Sequence, residues 1–289
     1  MRRVAMGLAL LLGVAPMTAS AQKAPPMDVS GLLTRLSDSL LSYYARAQSI
    51  ICDEAVSMQS LGNDLMSDMS PLRRLLYELR LSWEPPGDGS VIPEANVVRT
   101  LMRVNNRAPR EKDKDACMDP KSISPEPLAM FLPENQADYV FTAAGNAKLN
   151  GRSALMIDYR SRTAGKVSAT RKDDCFSIQL PGRTRGRVWI DEETADVLRF
   201  DERLTGMVDV MVPPDPKKRG TSPEMMIVER LDSSIVYKRV EFNDPDESLV
   251  LPVAKEVITV VRNAGTPRLR TSVSFSNYRR FITGGRIVE

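Results

Sequence analysis

The spacing of apolar residues changes once along this chain, from a helical repeat to strict alternation. Leu32, Leu33, Leu36, Leu40 and Tyr43 recur three and four residues apart. That spacing predicts an amphipathic helix, capped by Asp28 or Ser30 and running to about Gln48. From Ile50 onward the period is two. Ile50, Cys52, Val56 and Met58 share one side of a strand, and Asp53 and Ser57 take the other. Leu75, Tyr77, Leu79, Leu81 and Trp83 alternate with Glu78, Arg80 and Ser82, the clearest half-buried strand in the sequence. Pro85-Pro86-Gly87-Asp88-Gly89 ends it. Further strands are expected at 97–104, 139–141, 154–159, 235–242, 257–261 and 269–275. Another pair flanks the turn 191–196.

About ten strands and one certain helix follow from this reading, with a short helix near 126–131 stopped by Pro133. The strands are not separated by helical segments, which argues against parallel βαβ units. The fold class expected is α+β, mostly β. It is a single, strongly curved antiparallel sheet, a half β-barrel of about ten strands, covered by the N-terminal helix and short helices. Polar stretches rich in Pro, Ser or charge interrupt the pattern at about 105–136, 160–183 and 212–224. They are read as long loops of one domain covering 22–289.

The first residues are set apart from that domain. Arg2 and Arg3 precede an apolar run, 4–15, that is too short to span a bilayer core of about 30 Å. Ala19-Ser20-Ala21 follows as a cleavage motif. This is a secretory signal peptide, with cleavage expected after Ala21. The product is expected outside the cytoplasm, in the periplasm if the source is Gram-negative. Cleavage removes two arginines and no acid from a chain of formal charge +3. The near-neutral remainder argues against a nucleic-acid partner. An oxidising compartment makes disulfides available to the three cysteines. Three pairings are open. The pairing expected is Cys117 with Cys175, both in polar surroundings, leaving Cys52 as a buried free thiol.

Candidate chemistry is sparse. The chain contains no histidine, which removes Ser-His-Asp and Cys-His catalysis and histidine metal sites. The cysteines do not fall in C-x-x-C, so no zinc site is expected, and no cofactor. G-x-S-x-G, G-x-G-x-x-G and P-loop motifs are absent. Two carboxylate clusters, Asp191-Glu192-Glu193 and Asp244-Asp246-Glu247, could serve glycoside hydrolysis or calcium. Both fall where turns are expected, so solvated turns are the simpler reading. An enzyme is not expected. The 15 methionines, among them Met66, Met69, Met225 and Met226, suit irregular apolar ligands as well as cores. If the inner face of the half-barrel stays open, Leu79, Leu81, Trp83, Leu155, Ile157 and Tyr159 are the candidate lining of an acyl-chain cavity. Ordinary core is the alternative for each.

The stretch from Gly186 to Arg199, G-x-V-W-I-D-x-x-T-x-x-V-L-R, resembles a hairpin of LolA-like proteins. So do I-C-D-E-A-V at 51–56, F-L-P-E-N-Q-A-D-Y-V-F at 131–141 leading into L-N-G-R-S-A-L-M-I-D-Y at 149–159, and F-S-N-Y-R-R-F at 275–281. The chain is similar to the superfamily of LolA, LolB and RseB-type periplasmic half-barrels. That resemblance implies an open half-barrel closed by helices, with a hydrophobic cavity for acyl chains. The function expected is a periplasmic binding or carrier protein for lipid or lipoprotein acyl chains, in a cavity on the order of several hundred Å³. An RseB-like regulatory or scaffolding role is the alternative, acting by contact with an inner- or outer-membrane protein. It predicts a filled or small cavity. A hydrolase with a carboxylate site is a third reading.

Overall fold

A computed structural model describes residues 27–47, 49–84, 94–113, 117, 119–120, 127–172, 175–214, 222–243, 246–263 and 268–280. The expected signal peptide and its cleavage site lie outside the described residues. Helix α1 (Val29–Arg46) begins at Asp28, whose side chain accepts a hydrogen bond from the Gly31 backbone at 3.0 Å. Its buried stripe is Leu32, Leu33, Leu36, Ser37, Leu40, Tyr43 and Tyr44, the leucine and tyrosine spacing of an amphipathic helix. Among the described residues, no helix is long and apolar enough to cross a membrane.

The strands are β1 (Ile50–Leu61), β2 (Arg73–Glu84), β3 (Glu94–Val104), β4 (Tyr139–Leu149), β5 (Arg152–Ser161), β6 (Ser168–Lys172), β7 (Cys175–Gln179), β8 (Thr184–Asp191), β9 (Val197–Leu204), β10 (Val208–Val212), β11 (Glu224–Asn243), β12 (Asp246–Arg262) and β13 (Arg268–Arg280). One open sheet runs β3-β2-β1-β13-β12-β11-β9-β8-β5-β4, with β10 added alongside β11. Every pairing is antiparallel. Three antiparallel runs, β1–β3, β11–β13 and β4-β5-β8-β9, are therefore stitched together where β1 pairs with β13 and β9 pairs with β11. Register shifts interrupt five of the ladders, including Ala143/Gly145 in β4–β5 and Val236/Tyr237 in β11–β12. Bulges bend and twist the bulged strand, which gives so long a sheet its curvature.

Residues 160–183, expected to be loop, contain a two-stranded sheet of their own, β6–β7. Its outer positions are the polar Ser168, Thr170, Ser177 and Gln179, and its inner side carries Phe176 and Ile178. Both pack on a second small core of Leu204, Val208, Val210, Val212, Met226 and Val228. The stretch 105–136 contains a 3-10 turn, Leu128–Phe131, and a one-turn helix α2, Pro133–Gln136. Cys117 and Cys175 form a disulfide that ties this stretch to β7, and Cys52 is free and buried.

α1 lies across one face of the sheet, called here the inner face. Arg35 donates to the Glu192 backbone carbonyl at 2.7 Å, and Ser39 donates to Asp196 at 3.2 Å. Tyr44 packs on Trp83 with ring centroids 4.5 Å apart. One continuous apolar core joins α1, the 3-10 turn and the inner sides of the strands.

Candidate functional site

The six residues expected to line a cavity all face inward, but they form two groups. Leu79, Leu81 and Trp83 belong to β2; Leu155, Ile157 and Tyr159 belong to β5, with six strands between them. Leu155 is half-buried and packs against the core. The other five are at most 7% exposed. Among the described residues, Tyr159 alone of the six borders an open groove, the one that lies on β5, β8 and β9. The six meet α1 on the β2 side and the segment 128–132 on the β5 side.

The β5 side is an aromatic bowl built by β4, β5, β8 and β9. Tyr159 stacks on Phe200 with centroids 5.4 Å apart. Phe131, at the end of the 3-10 turn, enters the bowl edge-on to both rings, at 6.3 and 6.2 Å, and lies 5.8 Å from Phe141. Leu128, Met130 and Leu132 are buried with it. Two side chains fold this insert onto itself: Asn135 donates to the Ala129 carbonyl at 2.8 Å and Gln136 to the Phe131 carbonyl at 2.7 Å. Both bonds stay inside the segment. The rings that grip Phe131 offer it only apolar contact.

Gly186 explains the first letter of the hairpin motif. It stands between Tyr159 and Glu202 in the ladder. A Cβ there would meet the Asp201 carbonyl oxygen at 1.9 Å and the Tyr159 hydroxyl at 2.6 Å. Only glycine lets the Tyr159 hydroxyl pass over β8 and donate to Glu202 at 3.1 Å. Burial, and then the adjacent carboxylate, push the Tyr159 phenol up. Burial also raises Glu202, against hydrogen bonds from Tyr159 and Thr184 that lower it.

At the other end of the inner face a charged pair is buried. Glu54 and Arg99 form an ion pair at 2.6 Å with side chains only 3% and 6% exposed. Glu54 occupies an inward position of β1, in step with Ile50, Cys52 and Val56. A charge in an apolar register was the available signal, and the sequence reading passed over it. Burial, followed by the charge of Glu54, pushes the Cys52 thiol up to about 12, so it is an inert core group.

The carboxylate turn is not solvated at Asp191, which is buried. It accepts from the Glu193 and Thr194 backbones at 3.0 and 2.9 Å and pairs with Arg152 at 2.7 Å. Burial alone would raise its carboxyl; these hydrogen bonds and the Arg152 charge outweigh that and hold it below the usual range. Asp191 thus organises a turn in which Ala195 takes a left-handed φ of 60°. Asp246 pairs with Asn243 where β11 passes to β12. Among the described residues, no group of three or more His, Cys, Asp or Glu is placed to hold a metal ion. Met66, Met69 and Met225 are exposed, while Met226 is buried.

The opposite, outer face of β5, β8 and β9 carries an open groove of about 650 Å³. Trp189 lies on this face with the Arg199 and Arg187 guanidinium carbons 5.0 and 5.9 Å from its ring centre. Asp158 holds Arg187 at 2.6 and 2.9 Å, and Asp201 holds Arg199 at 2.8 Å through both oxygens.

The fold is an open antiparallel half-barrel with an N-terminal helix across its inner face. No protein-family model matches the chain, and no curated protein matches it. Among solved structures it is similar to a DUF1329 family protein from Desulfovibrio piger, with 9% identity over 88% of this chain and 94% of that one and a TM-score of 0.45. A LolA superfamily protein from Nitrosomonas europaea shares 8% identity over 86% of this chain and 94% of that one, with a TM-score of 0.37. A Vibrio parahaemolyticus domain assigned to outer membrane lipoprotein sorting shares 11% identity over 89% and 93%, with a TM-score of 0.36.

Proposed function

We propose that this chain is a non-catalytic envelope protein that holds lipid or lipoprotein acyl chains against the inner face of its half-barrel. The segment 128–132 is the lid that such a chain displaces. One observation carries the reading: the aromatic bowl is filled by a short insert rather than by side chains of the sheet itself. An acyl chain is also apolar and offers the rings equivalent contact. At about 0.8 kcal/mol per buried methylene, a chain of roughly ten carbons or more offsets the cost of lifting four buried apolar side chains at about 1.5–3 kcal/mol each. The lining is then the β5 group, Leu155, Ile157 and Tyr159, with Phe131 as its competitor. Leu79, Leu81 and Trp83 join it only if α1 moves as well.

Native mass spectrometry with lipid extraction, followed by titration with a fluorescent fatty acid, tests this. Phe131→Ala weakens the insert and raises the fraction of open protein, so the apparent affinity should rise about tenfold or more. If neither wild type nor Phe131→Ala carries or takes up an acyl chain, the carrier reading fails. The closed inner face favours a second reading in that event, a regulatory or scaffolding role by protein contact. A stable stoichiometric complex with an envelope membrane protein, formed without lipid, would identify it.

A further inference from the structure

The outer face of the bowl strands holds a charge pattern that the fold does not need. Arg160 on β5 stands opposite Arg185 on β8, and Arg185 stands opposite Arg203 on β9. All three are exposed, and all three line the outer groove. Directly opposed side chains have Cβ atoms about 4.5–5.5 Å apart, and like charges so placed destabilise a sheet. The neighbouring acids do not relieve them. Asp158 is committed to Arg187, Asp201 to Arg199 and Asp232 to Arg230. Glu202 accepts from Tyr159 on the inner side. Glu256 lines the groove from β12, two strands beyond β9. Among the described residues, none of the three arginines has an ion-pair partner. Two residues before Arg185, Arg183 has a buried Nε that also lacks a hydrogen-bond partner.

We propose that the Arg160–Arg185–Arg203 row is an oxyanion site that takes the phosphate group of an anionic membrane lipid. Guanidinium forks match phosphate oxygens in pairs, where ammonium groups act only as point charges. Strands lie about 4.8 Å apart, so the row spans about 10 Å. That length suits one or two headgroups and is short for a nucleic-acid backbone. Trp189, Val140 and Ile258 border the same groove, and an indole beside a cationic row fits a membrane–water boundary. The site lies on the face opposite the acyl bowl and does not depend on the bowl being occupied.

Vesicle cosedimentation tests it with the purified protein. Binding is expected to vesicles of phosphatidylglycerol in phosphatidylcholine, not to phosphatidylcholine alone, and should weaken with salt. Arg185→Glu, at the centre of the row, should lose at least tenfold in affinity, and Arg160→Gln a smaller part. Arg103→Glu makes the same charge change on β3 and should bind as wild type. Inorganic phosphate at constant ionic strength separates the sources. If it competes, the row accepts any phosphate; if it does not, while Arg185→Glu still abolishes binding, the ligand is a headgroup held in a bilayer. Equal losses in Arg103→Glu and Arg185→Glu would reduce the effect to net charge and overturn the site. So would wild-type binding by Arg185→Glu and Arg160→Gln, or no response of the wild type to either anionic vesicles or phosphate.

Discussion

The two ends of the inner face are closed by different forces. At the β1–β3 end ionic and covalent ties are added to the apolar packing of α1. Glu54 pairs with Arg99, Arg73 holds Asp119 at 2.9 and 2.6 Å, and Arg107 holds Asp113 at 2.7 and 2.9 Å. The Cys117–Cys175 disulfide anchors the same loop. At the β4–β9 end the closure is the Phe131 insert, held by apolar contacts of Leu128, Met130, Phe131 and Leu132. Charge-assisted bonds are directional and costly to leave unmade once buried. Apolar contact is non-directional, so anything of similar shape can replace it. Under the proposed function, the first end is a fixed wall and the second an exchangeable lid. Covering the two ends with equally apolar residues would not have separated these roles.

The largest test of that contrast is at the wall. Arg99→Ala leaves the Glu54 carboxylate buried without its partner and should cost about 3–5 kcal/mol, measured by denaturant unfolding. Replacing both residues, Glu54→Leu with Arg99→Met, should recover most of the loss. A loss near zero in the single variant would mean that the pair holds nothing shut. The disulfide comes next. Its partners are 58 residues apart, and replacing both cysteines by serine should cost roughly 2–4 kcal/mol, without raising fatty-acid uptake. Increased uptake in that variant would place the lid at the wrong end.

The smallest effect lies beside the lid. Burial raises the Glu202 carboxyl above its ordinary 4.5, so the folded state favours the protonated form. Stability from this group is fully present below pH 4.5 and is lost as pH rises through the higher folded value. Glu202→Gln should flatten that decline, so wild type and variant diverge in thermal midpoint as pH rises from 4 towards neutrality. Parallel pH profiles would show that Glu202 does not feel its burial.

Much of the architecture was legible because local pattern and global role agree. Alternation in β2 named its inner side correctly, and the leucine spacing of α1 named its buried stripe. The hairpin at Trp189 was read for its turn but not for its glycine, whose constraint comes from Tyr159 on the neighbouring strand. The hairpin β6–β7 was missed because its polar positions masked a short alternation that closes over a separate core. Glu54 was legible in principle, as a charge in an apolar register.

By itself the sequence determined helix α1, most of the strands and the face that most of their apolar side chains take, because those follow from periods of three-and-a-half and two residues within single segments. Only the tertiary structure decided what stands opposite each face. Strand order brought three arginines into one row from positions 160, 185 and 203. Chain return carried Phe131 into a bowl whose rings come from β4, β5 and β9. Neither arrangement leaves a trace in local periodicity, because each depends on register and closure between segments far apart in the chain.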